Sequence, residues 1–558
     1  MNDSLSARRE SKGRPLPAYL KGFLRRQKEL LFPHPETIQY RKWMRRHRQE
    51  RQQRFANISE PGLLSMLTAV WNGSPVHYLK QLAESIIPQN REGHGQWVIL
   101  DNGCSRPELL NYFGELRQYD WIKIHRSPTN LGIVPGLRLC LQAAGGRYIL
   151  PIDADDLLYP DALRIITFFI RQAGYPALLY TDEDKIAAGG ITQPYFKPDW
   201  DPVLLANSAY IAHLGVVDRR TALELDAYTD KETEGSPDWD LFIRFANTGH
   251  EAVRIPEVVY SWRVHAYSTA DDAGTKPYVI SSQKAAVARF LGAQAHKDRF
   301  SLQNSELLPG AAHWRFVRRQ SNPKPMLCIL LETAPTTPDD YAPANSYPCL
   351  RFARLPVQAS LLELKELLLI AGAQDSYICF LGADVSIQNP DWPWEALGLF
   401  ELFPDTAMIG GRIWNEAGTI TNADRHFGFG GPCGCPNRGR SDADPGYFAQ
   451  MWKQRSVSAV SLQFAVTDTQ YLLKVLHRIP AAASVAFGGA WIGAEALRDR
   501  RRVIYTPFLS GISNTDWEKF VTPHEQEIFL RENADAIPDR RYYPHPFSLQ
   551  RGFALEDG

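Results

Sequence analysis

Strand-like and helix-like segments alternate along the chain from Leu63 to Tyr180, and no other feature restricts its fold as strongly. Apolar runs at 64–70, 97–100, 121–124, 148–151 and 177–180 read as strands. Between them, segments at 75–87, 107–116, 133–144 and 160–172 carry apolar residues at helical spacing. In 75–87, for example, Leu79, Leu82, Ala83 and Ile86 share one face. Such alternation predicts an α/β fold with a mostly parallel sheet and right-handed crossovers. The pattern lapses over 301–324, a polar stretch with turn formers that reads as a linker, and then resumes. Strands are expected at 326–331 and 376–381, with a helix at 361–371. A chain of 558 residues exceeds a single core. The expectation is one α/β domain over 61–300 and a looser copy over 325–558.

Apolar content of 44% allows large cores, yet no run approaches the ~18 residues of a membrane-spanning helix. Residues 1–15 are polar and basic, without the apolar centre of a signal peptide. Seven cysteines lie scattered through strands and helices, which predicts a reducing, cytoplasmic setting and not a disulfide framework. Cys433-Gly434-Cys435 has no second pair facing it, so a zinc site is not expected there.

Formal charge sums to zero but is unevenly spread. Residues 1–60 hold 15 Lys and Arg against 6 Asp and Glu, so the rest of the chain is acidic. Two helical stretches, 17–32 and 37–55, make this a basic helical arm. Two readings stand level: the arm meets the anionic inner face of the plasma membrane as a peripheral contact, or it packs on the next domain. An arm alone on an acidic body argues against nucleic acid.

The strand at 148–151 runs directly into Ile152-Asp153-Ala154-Asp155-Asp156. Carboxylates crowded at a strand end repel one another unless a hard cation or polar ligand sits among them. Strand ends are also where open α/β sheets bind ligands. Asp101 closes another strand, and its carboxylate can accept the N3–H of a uracil or thymine ring. Asp153 and Asp155 suit ribose hydroxyls and a metal bridging two phosphates. Asp238 and Asp240 stand at the mouth of a helix, and His265 ends a strand at 260–265. Singly, each has a plainer explanation as a turn former, a helix cap or a satisfied polar residue. Their ordered recurrence at successive element ends is much harder to obtain by chance.

Residues 63–270 resemble the family 2 glycosyltransferases, which have the nucleotide-sugar-binding fold called GT-A. The resemblance is carried by Thr68-Ala69-Val70-Trp71-Asn72, Ile99-Leu100-Asp101-Asn102-Gly103, Asn130-Leu131-Gly132 and Asp153-Ala154-Asp155-Asp156. It continues through Tyr180-Thr181-Asp182-Glu183-Asp184-Lys185, Pro194-Tyr195-Phe196-Lys197-Pro198, Pro237-Asp238-Trp239-Asp240 and Trp262-Arg263-Val264-His265. The Tyr-Phe-Lys-Pro stretch is similar to the bacterial subgroup that builds O-antigen and rhamnose-rich polysaccharides.

The resemblance implies two GT-A-like, Rossmann-like domains in tandem, the second degenerate, and an inverting transferase that uses Mn²⁺ or Mg²⁺. It assigns Asp101 to the base, Asp153 to the ribose, Asp155 and His265 to the metal or diphosphate, and Asp238 to proton removal. Thr68, Val70, Asn72, Asn130, Asp182 and Lys197 are expected around the nucleotide-sugar. The donor would be UDP-, dTDP- or GDP-linked, and the acceptor a growing glycan on a lipid carrier. Asn102 replaces the usual second Asp, Cys104 displaces a Ser, and Pro237 stands in place of Glu. In the second half Asp384 is alone, 487–495 lacks the acidic pair, and Phe508 follows Tyr505-Thr506-Pro507 where His is expected. That half is read as serving acceptor binding or dimerisation, with Glu495 the one remaining candidate base. A sugar nucleotidyltransferase would want a basic Gly-rich loop after the first strand, and Trp71-Asn72-Gly73-Ser74-Pro75 contains no base. A non-catalytic scaffold in polysaccharide assembly is the alternative from another class.

Overall fold

In a computed structural model, which describes residues 34–187, 190–264, 277–308, 313–333, 347–371 and 375–556, the alternating segments form two sheets flanked by helices. The first sheet contains β1 (Leu64–Val70), β2 (Gly95–Asn102), β3 (Ile122–Ser127), β4 (Tyr148–Pro151), β5 (Leu157–Leu158), β6 (Leu178–Ala187), β7 (Gly190–Tyr195), β8 (Gly215–Asp218) and β9 (Val253–Arg263). Their order is β3-β2-β1-β4-β8-β6-β9-β5, with β7 on β6. β3, β2, β1 and β4 run parallel, as do β6 and β9. β8 runs antiparallel between β4 and β6, so the sheet is parallel-rich with one reversed strand inside it.

β1 is buried along nearly all its length, and mostly apolar, because both of its faces are covered. Its register pairs Val70 with Asp101, which brings the ends of β1 and β2 to one edge. One face packs on the helices Val76–Ile86, Pro107–Leu116 and Ala162–Gln172 through Leu79, Phe113 and Ile166. The other contributes Leu67, Val98 and Leu100 to an apolar cluster that continues through Phe242 and Phe290 to Met326, Trp392 and Phe464. The two halves therefore share one core.

The second sheet repeats the first. Leu350–Pro356, Met326–Glu332 and Tyr377–Gly382 run parallel, followed by antiparallel Phe464–Asp468, the parallel pair Thr406–Trp414 and Arg502–Ile512, and the short Ser386–Ile387. This is the succession β2-β1-β4-β8-β6-β9-β5, without a counterpart of β3 among the described residues. Within 301–324, read as a linker, the chain pairs Phe300–Asn304 with Trp314–Arg318. Arg315–Glu395 (3.1 Å) and Arg318–Glu401 (3.0 Å) fasten this ladder to the helix Trp392–Leu402.

The arm helix Pro35–Arg54 packs on the first sheet, burying Tyr40, Met44 and Arg51. Arg51 is 1% exposed and forks onto Asp161 at 2.8 and 2.7 Å while donating to the Val258 carbonyl. Tyr40, Tyr159 and Ser261 donate their hydroxyls to Asp184. The packing reading thus describes this helix, whose outer face keeps Lys42, Arg45 and Arg46 exposed. The expected helix at 17–32 lies outside the described residues. No described helix is long and apolar enough to cross a membrane, and all seven cysteines are free. Replacing Arg51 with Met would leave Asp161 buried beside no guanidinium. We expect a loss of about 3 kcal/mol or more, read from the urea midpoint at constant m. An unchanged midpoint would show that the arm helix does not contribute to the fold.

Candidate active site

Parallel strands present their carboxyl ends at one edge, and β1, β2 and β4 place Asn72, Asp101 and Asp153 there on successive loops. Asp101 is buried, accepts the Cys104 amide at 2.9 Å and lies 3.5 Å from Arg126. Gly103 turns the chain with φ +72, and a Cβ there would meet the Asn130 amide at 2.5 Å. Asn102 holds the next loop, accepting from Leu131 (2.8 Å) and donating to the Gly132 carbonyl (3.0 Å). Asn72 ties the first loop to the second by accepting the Ser105 amide at 2.8 Å. Asn130 accepts the Gly132 amide at 3.0 Å. These three asparagines shape the rim of the cleft.

The acidic run after β4 splits by environment. Asp153 is exposed, Asp155 half-buried and Asp156 buried. Asp156 accepts the Tyr260 hydroxyl at 2.5 Å and the Arg263 amide at 2.7 Å. Burial first, then the charges of Asp153 and Asp155, hold its carboxyl well above the usual range. His213 closes the cluster, with Nε2 3.7 Å from Asp153 and 3.9 Å from Asp156. The register of antiparallel β8 against β4, carried past β8's first residue, sets His213 opposite Asp153. Burial lowers the His213 ring below the ordinary imidazole range, against the opposing charges of Glu183 and Asp155, and keeps it a neutral lone-pair donor. One donor atom from each of Asp153, Asp156 and His213 lies within 4.8 Å of the others, so this set could hold a cation.

Asp238 sits in the first turn of the helix Pro237–Asn247. Enclosure, and after it the charge of Glu183, push its carboxyl up to about 7. Asp240, one turn position on, is 1% exposed and clamped by Arg244 at 2.7 Å and by Arg289. Of the two acids in Pro237-Asp238-Trp239-Asp240, only Asp238 lacks a cationic partner among the described residues. Burial, and after it the charges of Asp238, Asp153 and Asp240, push the Tyr228 phenol far above the usual range.

Four expected donor contacts lie inside the protein instead. Thr68 accepts the Trp97 indole at 3.0 Å, and Val70 is fully buried. Asp182 accepts the Lys197 amide and both nitrogens of an Arg254 fork. Lys197 is 0% exposed and donates to Glu183 and to the carbonyls of Thr181, Ile211 and His213. An ammonium saturated in this way holds the His213 loop and has no hydrogen left for a phosphate. His265 lies outside the described residues. His213 and Glu183 were not singled out from sequence, and a His just before a short apolar strand was the one available signal.

Among the described residues the second half lacks this constellation. Asp384, in the position of the acidic run, accepts the Ser513 hydroxyl at 2.6 Å. Glu495 lies toward the end of its helix and pairs with Arg478 and Arg498, so it is not placed as a base. The first turn of that helix, Gly488–Arg498, carries no acid. Replacing Asp156 with Asn removes a buried, repelled charge. The ion-free protein should gain about 1 kcal/mol or more at pH 8, and a lower melting temperature for that variant would show the run is not under electrostatic strain.

Residues 65–181 match the model of the family described as Glycosyl transferase family 2. A protein of Sinorhizobium fredii, described as uncharacterized protein y4gI, is 26% identical over 529 residues, covering 87% of this chain and 56% of that protein. The O-antigen biosynthesis protein RfbC of Myxococcus xanthus is 27% identical over 221 residues, 39% of this chain and 17% of that protein. The chain thus spans about half the length of the first relative and a smaller part of the second. Among solved structures, S. aureus TarS 1-349 in complex with UDP-GlcNAc is 18% identical with a TM-score of 0.36, covering 42% of this chain and 70% of that one.

Proposed function

We propose, from the premise that this chain carries a family 2 glycosyltransferase domain, that it moves a sugar from a nucleoside-diphosphate donor to a polysaccharide hydroxyl with inversion. The observation that carries this reading is the cluster of Asp153, Asp156 and His213 at the strand ends, in a chain that also holds the Asp238 carboxyl pushed up to about 7. Two carboxylates and a neutral imidazole fit Mn²⁺ or Mg²⁺, the latter with waters completing its shell. When bound, such a cation neutralises charge on the leaving diphosphate.

Asp101 is offered to the N3–H of a uracil or thymine through Oδ2, the oxygen 3.5 Å from Arg126, with Asn72 and Asn130 fixing the rim. Asp153 and Asp155 are offered to the ribose and diphosphate. Asp238 takes the proton of the acceptor hydroxyl as that oxygen attacks the anomeric carbon. The new C–O bond forms opposite the departing diphosphate oxygen, and one displacement inverts the centre. The partial likeness to an O-antigen biosynthesis protein supports a cell-surface glycan acceptor on a lipid carrier. The exposed Lys42, Arg45 and Arg46 support contact with an anionic inner leaflet, and thus a cytoplasmic protein peripheral to the membrane.

Asp238→Asn should lower kcat about 10³-fold with little change in donor KM. Below about pH 7 the wild-type carboxyl is protonated and cannot accept, so kcat/KM for the acceptor should rise through that pH and level above it. EDTA should abolish transfer and Mn²⁺ restore it. Full activity in Asp238→Asn would remove the catalytic assignment.

A further inference from the structure

The chain from β7 to β8 carries Lys197 and His213, and the second half grips it repeatedly. The Tyr447 hydroxyl donates to the Pro194 carbonyl at 2.7 Å and accepts the Phe196 amide at 2.9 Å. Phe448 stacks on Tyr195 with ring centroids 3.9 Å apart and planes 14° from parallel. To present these rings, Phe448 and Ala449 both adopt left-handed backbone, φ 49 and 57, which costs energy for residues with a Cβ. Farther along, Ser456 donates its amide (2.8 Å) and hydroxyl (2.7 Å) to Asp201. Asn207 donates to the Gln454 carbonyl at 2.8 Å, and the Asp199 amide donates to the Arg541 carbonyl at 2.6 Å.

All of these contacts bear on one buried junction. Lys197 follows Phe196 directly, and its ammonium binds the carbonyls of Ile211 and His213. The His213 amide in turn donates to Glu183, the other partner of Lys197. His213 thus reaches the acidic cluster from a loop whose backbone is fixed by Lys197, and Lys197 is fixed by a segment that the second half clamps.

We propose that the second half, with Asp384 alone in place of the acidic run and no acid in the first turn of Gly488–Arg498, acts as a brace that sets His213 in the active site. Tyr447 and Ser456 are positioning residues that act through the segment 194–207 and Lys197. The consequence for cation binding rests on the reading of His213 given above, whereas the brace itself does not.

Two measurements on the full chain separate them. The first is amide hydrogen exchange at 209–214, compared with the strand Arg502–Ile512 as an internal control. Tyr447→Phe and Ser456→Ala should each speed exchange at 209–214 by about tenfold, the equivalent of one lost buried hydrogen bond, and leave the control unchanged. The second is Mn²⁺ binding, read as loss of the free-ion EPR signal. Tyr447→Phe should weaken it several-fold in protein that is fully folded, and His213→Ala should remove it. Unchanged exchange at 209–214 in both brace variants overturns the proposal. Undiminished Mn²⁺ binding in His213→Ala instead overturns the reading of the cluster, since the exchange comparison involves no ion.

Discussion

Buried carboxylates must be neutralised, hydrogen-bonded or given a ligand, and that constraint organises this molecule. The fold brings many acids into or beside the first sheet and divides them into two groups. Asp161, Asp182, Glu183 and Asp240 are answered by Arg51, Arg254, Lys197, and the pair Arg244 and Arg289. Asp184 is answered by three hydroxyls. Asp156 and Asp238 receive no Lys or Arg among the described residues, and both are held above the ordinary carboxylate range. Asp240 and Asp238 lie two residues apart, and of the two only Asp240 is met by guanidinium groups among the described residues.

Two copies of one topology bear this out. The second sheet keeps the strand succession of the first but replaces the acidic run with Asp384 and the first helical turn with Gly488-Gly489. That half presents apolar and hydrogen-bonding groups to its neighbour. The continuous apolar cluster from Leu67 to Phe464, and the polar contacts of Tyr447, Gln454 and Ser456, make the two halves a single mechanical unit.

Much of the first sheet could be read from the chain because its central parallel strands are mostly apolar and end at loops rich in Asp, Asn and Gly. β1 spans the expected residues, and the helix at Pro107–Leu116 is bounded as its Pro and apolar spacing indicate. Asp101 and Asp153 come to one edge for the same reason. His213 is not legible in the sequence because acids and histidines that serve such a site are expected at the carboxyl ends of strands. β8 runs the other way, so its amino end arrives at the active edge. Lys197 and Asp182 lie in a recurrent motif, yet no pattern of residues distinguishes a cation that meets a phosphate from one that holds a loop. That distinction lies in burial and in partners from distant positions. The arm was ambiguous for a similar reason: a basic helix with Tyr40 and Met44 on one side suits a bilayer or a sheet, and Asp161, far along the chain, decides for residues 35–54.

We infer that the first half gathers its acids and His213 around one bound nucleoside diphosphate. Anomalous diffraction from crystals grown with Mn²⁺ and UDP, dTDP or GDP tests it most directly. The account predicts a manganese peak coordinated among Asp153, Asp156 and His213, the base against Asp101, and Asp238 facing the open side of the diphosphate. A nucleotide seated away from that edge, or a manganese ion held by other residues, would contradict it.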